Sequence, residues 1–284
     1  MDGILNEKKI IKDENKGIYH VCEIDGKVVG QIMYTYEWSD WRNGTFIWVQ
    51  SVYVNKEYRG KGVFKALYNK VKEIIDEELP KAKLYENGDF SKDEDILELF
   101  NKIKEENGKV DGFLHSIAHA FTHDLRNDFI NTSKDGFAHA SDVSAYSFVA
   151  MARIAKQIDF LNDGASLVTY TYVGSQKAIK GYNVMGVAKA ALECSVRYLA
   201  MDLGKDNIRV NAISPGPIKT LSAKGINNFD VMFENSKNVS AIKENVTSEE
   251  VGNATSFLFS DMSKGITGNV IYVDNGFSIC VNHF

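Results

Sequence analysis

The sequence of 284 residues holds only three cysteines, Cys22, Cys194 and Cys280, far apart from one another. That spacing supplies neither a disulfide framework nor a metal-ligand pair, so the thiols read as isolated and reduced. No apolar run approaches the roughly 20 residues that span a bilayer. The first 15 residues are rich in Lys, Asp and Glu and contain no signal-peptide core. There is no excess of basic charge either: 33 Lys and Arg stand against 38 Asp and Glu, a formal net charge of −5. A nucleic-acid binder, or a protein held on an anionic membrane, would need the opposite balance. These absences predict a cytoplasmic protein with no membrane, nucleic-acid or metal partner, acting on small molecules or other proteins. Tryptophan is missing from everything after residue 48, because Trp38, Trp41 and Trp48 fall within eleven residues.

What is present is 44% hydrophobic and 25% charged residues, the balance of a folded soluble chain. The length suffices for one large or two ordinary domains. The texture changes near Pro80, inside the charged stretch Asp76 to Lys83. Aromatic strands and one helix come before it, and helices alternating with strands come after. We therefore expect one segment over residues 1–82 and a second over 83–284.

In the later segment Lys83–Tyr85 begins a short strand. Asp93 to Glu106 carries Ile96, Leu97, Leu99, Phe100 and Ile103 at helical spacing. Val110–Ile117, Gly164–Tyr172, Ile208–Ile213 and Asn269–Val273 read as strands, and Asn183 to Leu203 as a long helix. The strands are β-branched runs with little alternation, as in a parallel sheet covered on both faces. The predicted class is α/β, a doubly wound parallel sheet whose ligands bind at the C-terminal ends of the strands.

Tyr182 and Lys189 are seven residues apart in YNVMGVAK, close to two helical turns, which predicts one shared face. A phenol beside an ammonium is biased towards its anion and can serve a carbonyl becoming an enolate. Alone, the same pair also fits an amphipathic helix with a half-buried Tyr and a solvated Lys. The surrounding strings are HSIA (115–118), DVSAYSF (142–148), TYVG (171–174), YNVMGVAKAALE (182–193), RVNAISPGPIKT (209–220), SEEVGNA (248–254) and GITGNVIYVDNG (265–276). In order and spacing these resemble the enoyl-acyl-carrier-protein reductases of the short-chain dehydrogenase superfamily. The resemblance implies NADH-dependent reduction of trans-2-enoyl thioesters in fatty-acid biosynthesis, on a substrate linked to acyl carrier protein, in a homo-oligomer. It implies that Tyr182 is the catalytic tyrosine, that Lys189 holds the nicotinamide ribose, and that Tyr172 is a second active-site tyrosine. Cofactor contacts would come from Asp89 and Phe90 beside the adenine, from Ser116, Ile117 and Ala118, and from Ile218 and Thr220. Leu221 to Lys237 would cover the substrate. Read singly, Asp89 also fits a helix cap, the run 116–118 fits strand packing, Tyr172 fits a surface aromatic, and His119 fits a tolerated strand-end residue.

The later segment lacks the Gly-rich phosphate turn that opens such a domain. Two βα units, at about 30 residues each, are missing upstream of Asp89. Their absence predicts an open sheet edge.

In the earlier segment, Tyr19–Ile24 and Lys27–Tyr36 form a predicted hairpin at Asp25-Gly26, and Thr45–Val54 a third strand. Arg59, Gly60, Lys61 and Gly62 then open a helix marked by Val63, Leu67, Val71, Ile74 and Ile75. Backbone amides at such a start make an anion site. The YEWSDWRNG, QSVYV and RGKG stretches resemble the GNAT acetyltransferases. That implies acetyl-coenzyme A binding, with Val52 and Val54 beside the pantetheine arm and Arg59, Gly60, Lys61, Gly62 and Val63 around the pyrophosphate; Phe64 departs from the small residue of that pattern. The alternative function is thus acetyl transfer, and a third is a non-catalytic assembly partner or inactive fusion. A further alternative has strand 45–54, RGKG and its helix standing in as a dinucleotide βα unit, which requires that strand to pair with Val110–Ile117.

Overall fold

The structure, a computed structural model, describes residues 4–7, 18–39, 44–78, 85, 88–218 and 229–280. The chain divides into two compact units, Met1–Glu86 and Asn87–Phe284.

The first unit is an antiparallel sheet in the order β1 (Ile4–Glu7), β2 (Ile18–Ile24), β3 (Lys27–Ser39), β4 (Gly44–Val54). Asp25 and Gly26 turn the β2–β3 hairpin at φ 51° and 72°. Both are left-handed, as a two-residue turn that follows the strand twist requires. Met33 pairs with Ser51 while Tyr34 pairs with Val49, so Gln50 is the extra residue of a β-bulge. Helix α1 (Val63–Glu78) places Val63, Leu67, Val71 and Ile74 against Cys22, Val29, Ile32 and Tyr34 of the sheet. This is the apolar stripe that the sequence spacing predicts.

The second unit runs α2 (Asp93–Asn107), β5 (Val110–His115), α3 (Thr122–Arg126), α4 (Lys134–Ser141), a π turn at Asp142–Tyr146, α5 (Ser147–Gln157), β6 (Leu161–Tyr170), α6 (Asn183–Gly204), β7 (Arg209–Pro215), α7 (Phe229–Val239), α8 (Ser248–Phe259) and β8 (Val270–Val273). The four strands form one parallel sheet in the order β5-β6-β7-β8. Six consecutive residues of β7, Arg209–Ser214, are buried, because helices cover both faces of a parallel sheet. One core joins α2, α5 and α6 to the sheet around Ile96, Phe100, Phe148, Phe160, Leu167 and Leu192. Another, around Val168, Ile213, Val251 and Leu258, lies under α8.

The alternative in which the third strand substitutes for a dinucleotide unit does not hold. β4 spends its backbone bonds on β3, and β5 pairs with β6, in two separate sheets. β5 stands at one end of its sheet, and among the described residues β6 is its one neighbour. The expected strand at 83–85 lies outside the described residues except for Tyr85, which is in no strand. Among the described residues no helix is long and apolar enough to cross a membrane.

Candidate active site

The C-terminal end of β6, the turn after it and the start of α6 bring together a cluster of aromatic and charged side chains. Tyr182 is 8% exposed and immediately precedes α6, not within it. The sequence expectation of Tyr182 and Lys189 on one unbroken helix is corrected at this point. Asn183 takes φ 43°, a left-handed conformation that Asn tolerates better than most residues. Its Nδ2 donates to the carbonyls of Asp124, Leu125 and Asn127 at 3.4, 3.3 and 2.6 Å. This kink ties the start of α6 to the end of α3 and sets the direction of the preceding tyrosine.

Tyr172 lies two residues beyond β6, and its ring meets Tyr182 edge-on at 4.9 Å. Its hydroxyl donates to Met232 Sδ of α7 at 3.7 Å. The half-buried ring is no surface aromatic. The contact depends on glycine: a Cβ at Gly174 would lie 2.5 Å from Tyr182 Cδ1, and one at Gly186 would lie 2.6 Å from the Gly174 carbonyl oxygen. The turn, the helix and the phenol fit only because both positions lack a side chain.

Lys189, 6% exposed, donates to the Tyr170 carbonyl at 2.8 Å. Burial pulls its ammonium down to about 8, with the Glu193 carboxylate opposing that shift. Glu193, one turn further along α6 and also 6% exposed, accepts from Thr171 Oγ1 at 2.7 Å and from Ser175 Oγ at 2.5 Å. Burial first, then Tyr172 and Glu193, push the Tyr182 phenol well above its ordinary value. Burial and then Asp274 do the same to Tyr172. The sequence expectation of a phenol biased towards its anion is therefore reversed, and both tyrosines are neutral hydrogen-bond donors near neutral pH.

His115 ends β5, 1% exposed, with Nδ1 2.9 Å from Thr169 Oγ1 and Nε2 2.8 Å from Ser147 Oγ. Ser147 Oγ donates onward to the Val143 carbonyl at 2.7 Å. Thr169 Oγ1 likewise donates to the His115 carbonyl at 3.1 Å, so both hydroxyls turn lone pairs towards the ring. Burial, then the Lys189 charge, pull this imidazole down to about 3.

Of the expected cofactor residues, Ser116 and Ala118 are exposed and Ile117 half-buried in irregular chain beyond β5, so strand packing does not account for them. Asp89 is exposed and accepts from Ser91 N and Oγ at 3.2 and 2.6 Å. It does not cap α2, whose cap position is Lys92. Phe90 packs partly on the main core, and Ile218 on the core under α8. Thr220 and residues 221–228 of the expected substrate cover lie outside the described residues. His119 is exposed, with Nδ1 2.6 Å from His139 Nε2.

In the first unit, Val52, Val54, Arg59, Gly60 and Gly62 line a groove of about 580 Å³ together with Tyr53, Tyr58, Phe64 and Lys65. Arg59 Nε donates to the Val54 carbonyl at 3.2 Å, and Lys61 Nζ sits 5.1 Å from the Tyr58 ring centre. The Val63 side chain is 4% exposed in the core, so only its backbone faces a ligand.

Glu193, Asn183 and His115 all fall inside or beside the quoted strings, yet their positions carry no signal by spacing. Their partners, Thr171 and Ser175, the end of α3, and Thr169 with Ser147, arrive from distant sequence.

Two family models match the chain. One, described as enoyl-(acyl carrier protein) reductase, covers residues 63–278, and one described as the acetyltransferase (GNAT) family covers residues 3–88. The enoyl-acyl-carrier-protein reductase (NADH) FabI of Bacillus cereus is 47% identical over 191 residues, spanning 67% of this chain and 74% of that protein. The NADPH enzyme FabI of Staphylococcus aureus is 48% identical over 198 residues, spanning 70% and 76%. Among solved structures, the Bacillus cereus enoyl-acyl carrier protein reductase with NADP+ and indole naphthyridinone superimposes with a TM-score of 0.72 at 44% identity, over 76% of this chain and 83% of that one. The NADH enzyme of Aquifex aeolicus gives 0.71 at 40% identity, over 77% and 84%.

Proposed function

The chain belongs to the enoyl-(acyl carrier protein) reductase family, and on that premise we propose that it reduces the double bond of trans-2-enoyl thioesters on acyl carrier protein, with NADH, in cytoplasmic fatty-acid biosynthesis. The observation that carries this reading is the Tyr172–Tyr182 pair, the buried ring of Tyr182 against the half-buried ring of Tyr172, held against α6 by two glycines, with the Lys189 ammonium on the next turns.

The donor set fits the nicotinamide-ribose end of a dinucleotide: a buried ammonium, a buried and a half-buried phenol, and an irregular segment at 116–118 whose Ser116 and Ala118 are exposed beyond a strand end. NADH, when bound, supplies the hydride. Lys189 would hold the ribose hydroxyls. Ser116, Ile117, Ala118, Ile218 and Thr220 would line the nicotinamide and pyrophosphate, and Asp89 and Phe90 the adenine. We choose NADH over its phosphorylated counterpart because the adenine segment carries Asp89, whose carboxylate already bridges Lys92 at 3.3 Å. Among the described residues 88–92, Lys92 is the one cation, so no pair stands there for a ribose phosphate.

Tyr182, kept neutral by burial, donates a hydrogen bond to the thioester oxygen and strengthens that bond as the oxygen takes on enolate charge. Tyr172 backs its ring and reaches α7 through Met232. We also propose a homo-oligomer, since α6 leaves Val187, Tyr198 and Met201 exposed at 37%, 65% and 69%.

The test is NADH oxidation with crotonyl-coenzyme A by the full chain, with NADPH run in parallel. Tyr182→Phe should lower kcat about 10²–10³-fold, the effect of losing one oxyanion donor. A folded wild type that oxidises neither nucleotide, or a Tyr182→Phe variant at full rate, overturns the reading.

Residues 1–82 support a second reading, carried by the groove at Val52–Lys65 and the acetyltransferase match. We propose acetyl-coenzyme A as its ligand. Gly60 and Gly62, at φ 73° and 82°, turn the loop ahead of α1 so that backbone amides can meet a pyrophosphate. Calorimetric titration should show binding that weakens about tenfold in Arg59→Ala, and equal affinity in both proteins removes the assignment.

A further inference from the structure

Glu193 is a buried carboxylate that no step above uses. It lies one helical turn beyond Lys189 on α6, 6% exposed, and both its bonds go to hydroxyls of the segment after β6, Thr171 at 2.7 Å and Ser175 at 2.5 Å. Those two hydroxyls bracket Tyr172 and Gly174. Tyr172 packs on Tyr182, and Gly174 faces Gly186 across the closest approach of turn and helix. A buried carboxylate needs partners to offset its desolvation, and charge-assisted hydroxyl bonds are the stronger kind. Hydrophobic packing alone could hold the turn, so a charge at this position does something packing does not.

We propose that Glu193 is a positioning residue of the reductase site: it clamps the Thr171–Ser175 turn onto α6, fixing Tyr172 against Tyr182, and sets its negative charge one turn from Lys189. The proposal rests on the reductase reading for its consequence in turnover, but the clamp and the charge are properties of the chain itself. The charge works against the burial that lowers Lys189, so it favours the ammonium near neutral pH, and it also contributes to keeping Tyr182 a phenol. One carboxylate thus acts in the same sense on both partners, supporting the Lys189 ammonium against burial and adding to the burial that keeps Tyr182 a phenol.

Two variants separate clamp from charge. In Glu193→Gln the amide oxygen still accepts both hydroxyls, and the charge is gone. In Glu193→Ala both are lost. The Lys189 titration is followed by NMR of the lysine side chain in cofactor-free protein, where the wild-type midpoint is expected at about 8. It should move to lower pH in both variants. Amide hydrogen exchange at 173–176 should stay within threefold of wild type in Glu193→Gln and rise about tenfold or more in Glu193→Ala, the loss expected for bonds to a charged acceptor. In the NADH assay Glu193→Gln should lower kcat with little change in KM, and bring the alkaline fall of the rate to lower pH. An unmoved Lys189 midpoint together with unchanged exchange in Glu193→Ala overturns the proposal. If midpoint and exchange respond as stated while the wild type reduces no enoyl thioester, the reductase reading fails and the clamp stands.

Discussion

Gly186→Ala tests the packing of the site with one methyl group. An alanine is normally welcome inside a helix, by about 0.5–1 kcal/mol over glycine. At 186 the new carbon would lie 2.6 Å from the Gly174 carbonyl oxygen, against 3.4 Å for ordinary contact, so turn and helix must part by about 0.8 Å. The obstacle is main chain and cannot rotate away. Overpacking of this kind costs about 1–3 kcal/mol, which exceeds the helical gain, and we expect a net loss of about 1–2 kcal/mol. Gly252 in α8 is the internal control, since nothing lies within 4 Å of its added carbon. Gly252→Ala should gain about 0.5–1 kcal/mol. Urea unfolding should be followed by far-ultraviolet circular dichroism, since no tryptophan lies in the second unit. Displacing Tyr172 from Tyr182 should also lower kcat about tenfold or more, because misplacement of this size is felt in a preorganised site. A Gly186→Ala protein as stable as Gly252→Ala, with unchanged kcat, would refute the reasoning.

Two other predictions follow from the same region. The His115 imidazole is held near 3 when folded against 6.5 when unfolded, so the unfolded chain binds the extra proton between those values. The contribution is fully present above pH 6.5 and is lost as pH falls towards 3, at up to about 1.4 kcal/mol per pH unit. Unfolding midpoints at pH 7, 6 and 5 should show a shallower decline in His115→Gln, and parallel curves would contradict the burial argument. Asn183→Ala loses three side-chain bonds and keeps a left-handed φ; it should lower stability by about 1–2 kcal/mol. Asn183→Gly relieves the backbone and should fall between the two. A thermal-melt order other than Asn, Gly, Ala would count against this account.

The elements with strong periodicity were legible in the sequence. Ile96, Phe100 and Ile103 mark α2, Val63 to Ile74 mark α1, and Asp25-Gly26 marks its hairpin because only left-handed residues close so tight a turn. The Tyr182–Lys189 pair was legible as a string, and its geometry was not. A spacing of seven assumes unbroken helix, whereas Asn183 reverses its φ to reach the end of α3, a long-range demand that periodicity does not encode. Helix α5 carries the same spacing as α1 and α2, with Phe148, Met151, Ile154 and Ala155 buried along one side. The direction of the Tyr182 shift was misread for a related reason: sequence shows that a lysine is near, and only the fold shows the burial and the Glu193 carboxylate that outweigh it.

The strand order β5-β6-β7-β8 runs in chain sequence without a reversal. In doubly wound sheets the nucleotide usually drops into the cleft where the winding changes direction, and the described strands of the second unit contain no such change. Among the described residues the segment 116–118 therefore follows an end strand whose one sheet neighbour is β6. A dinucleotide beside an end strand has one fewer strand to lie against than one at a change of winding, so the proposed ribose contact of Lys189 would carry more of its anchoring.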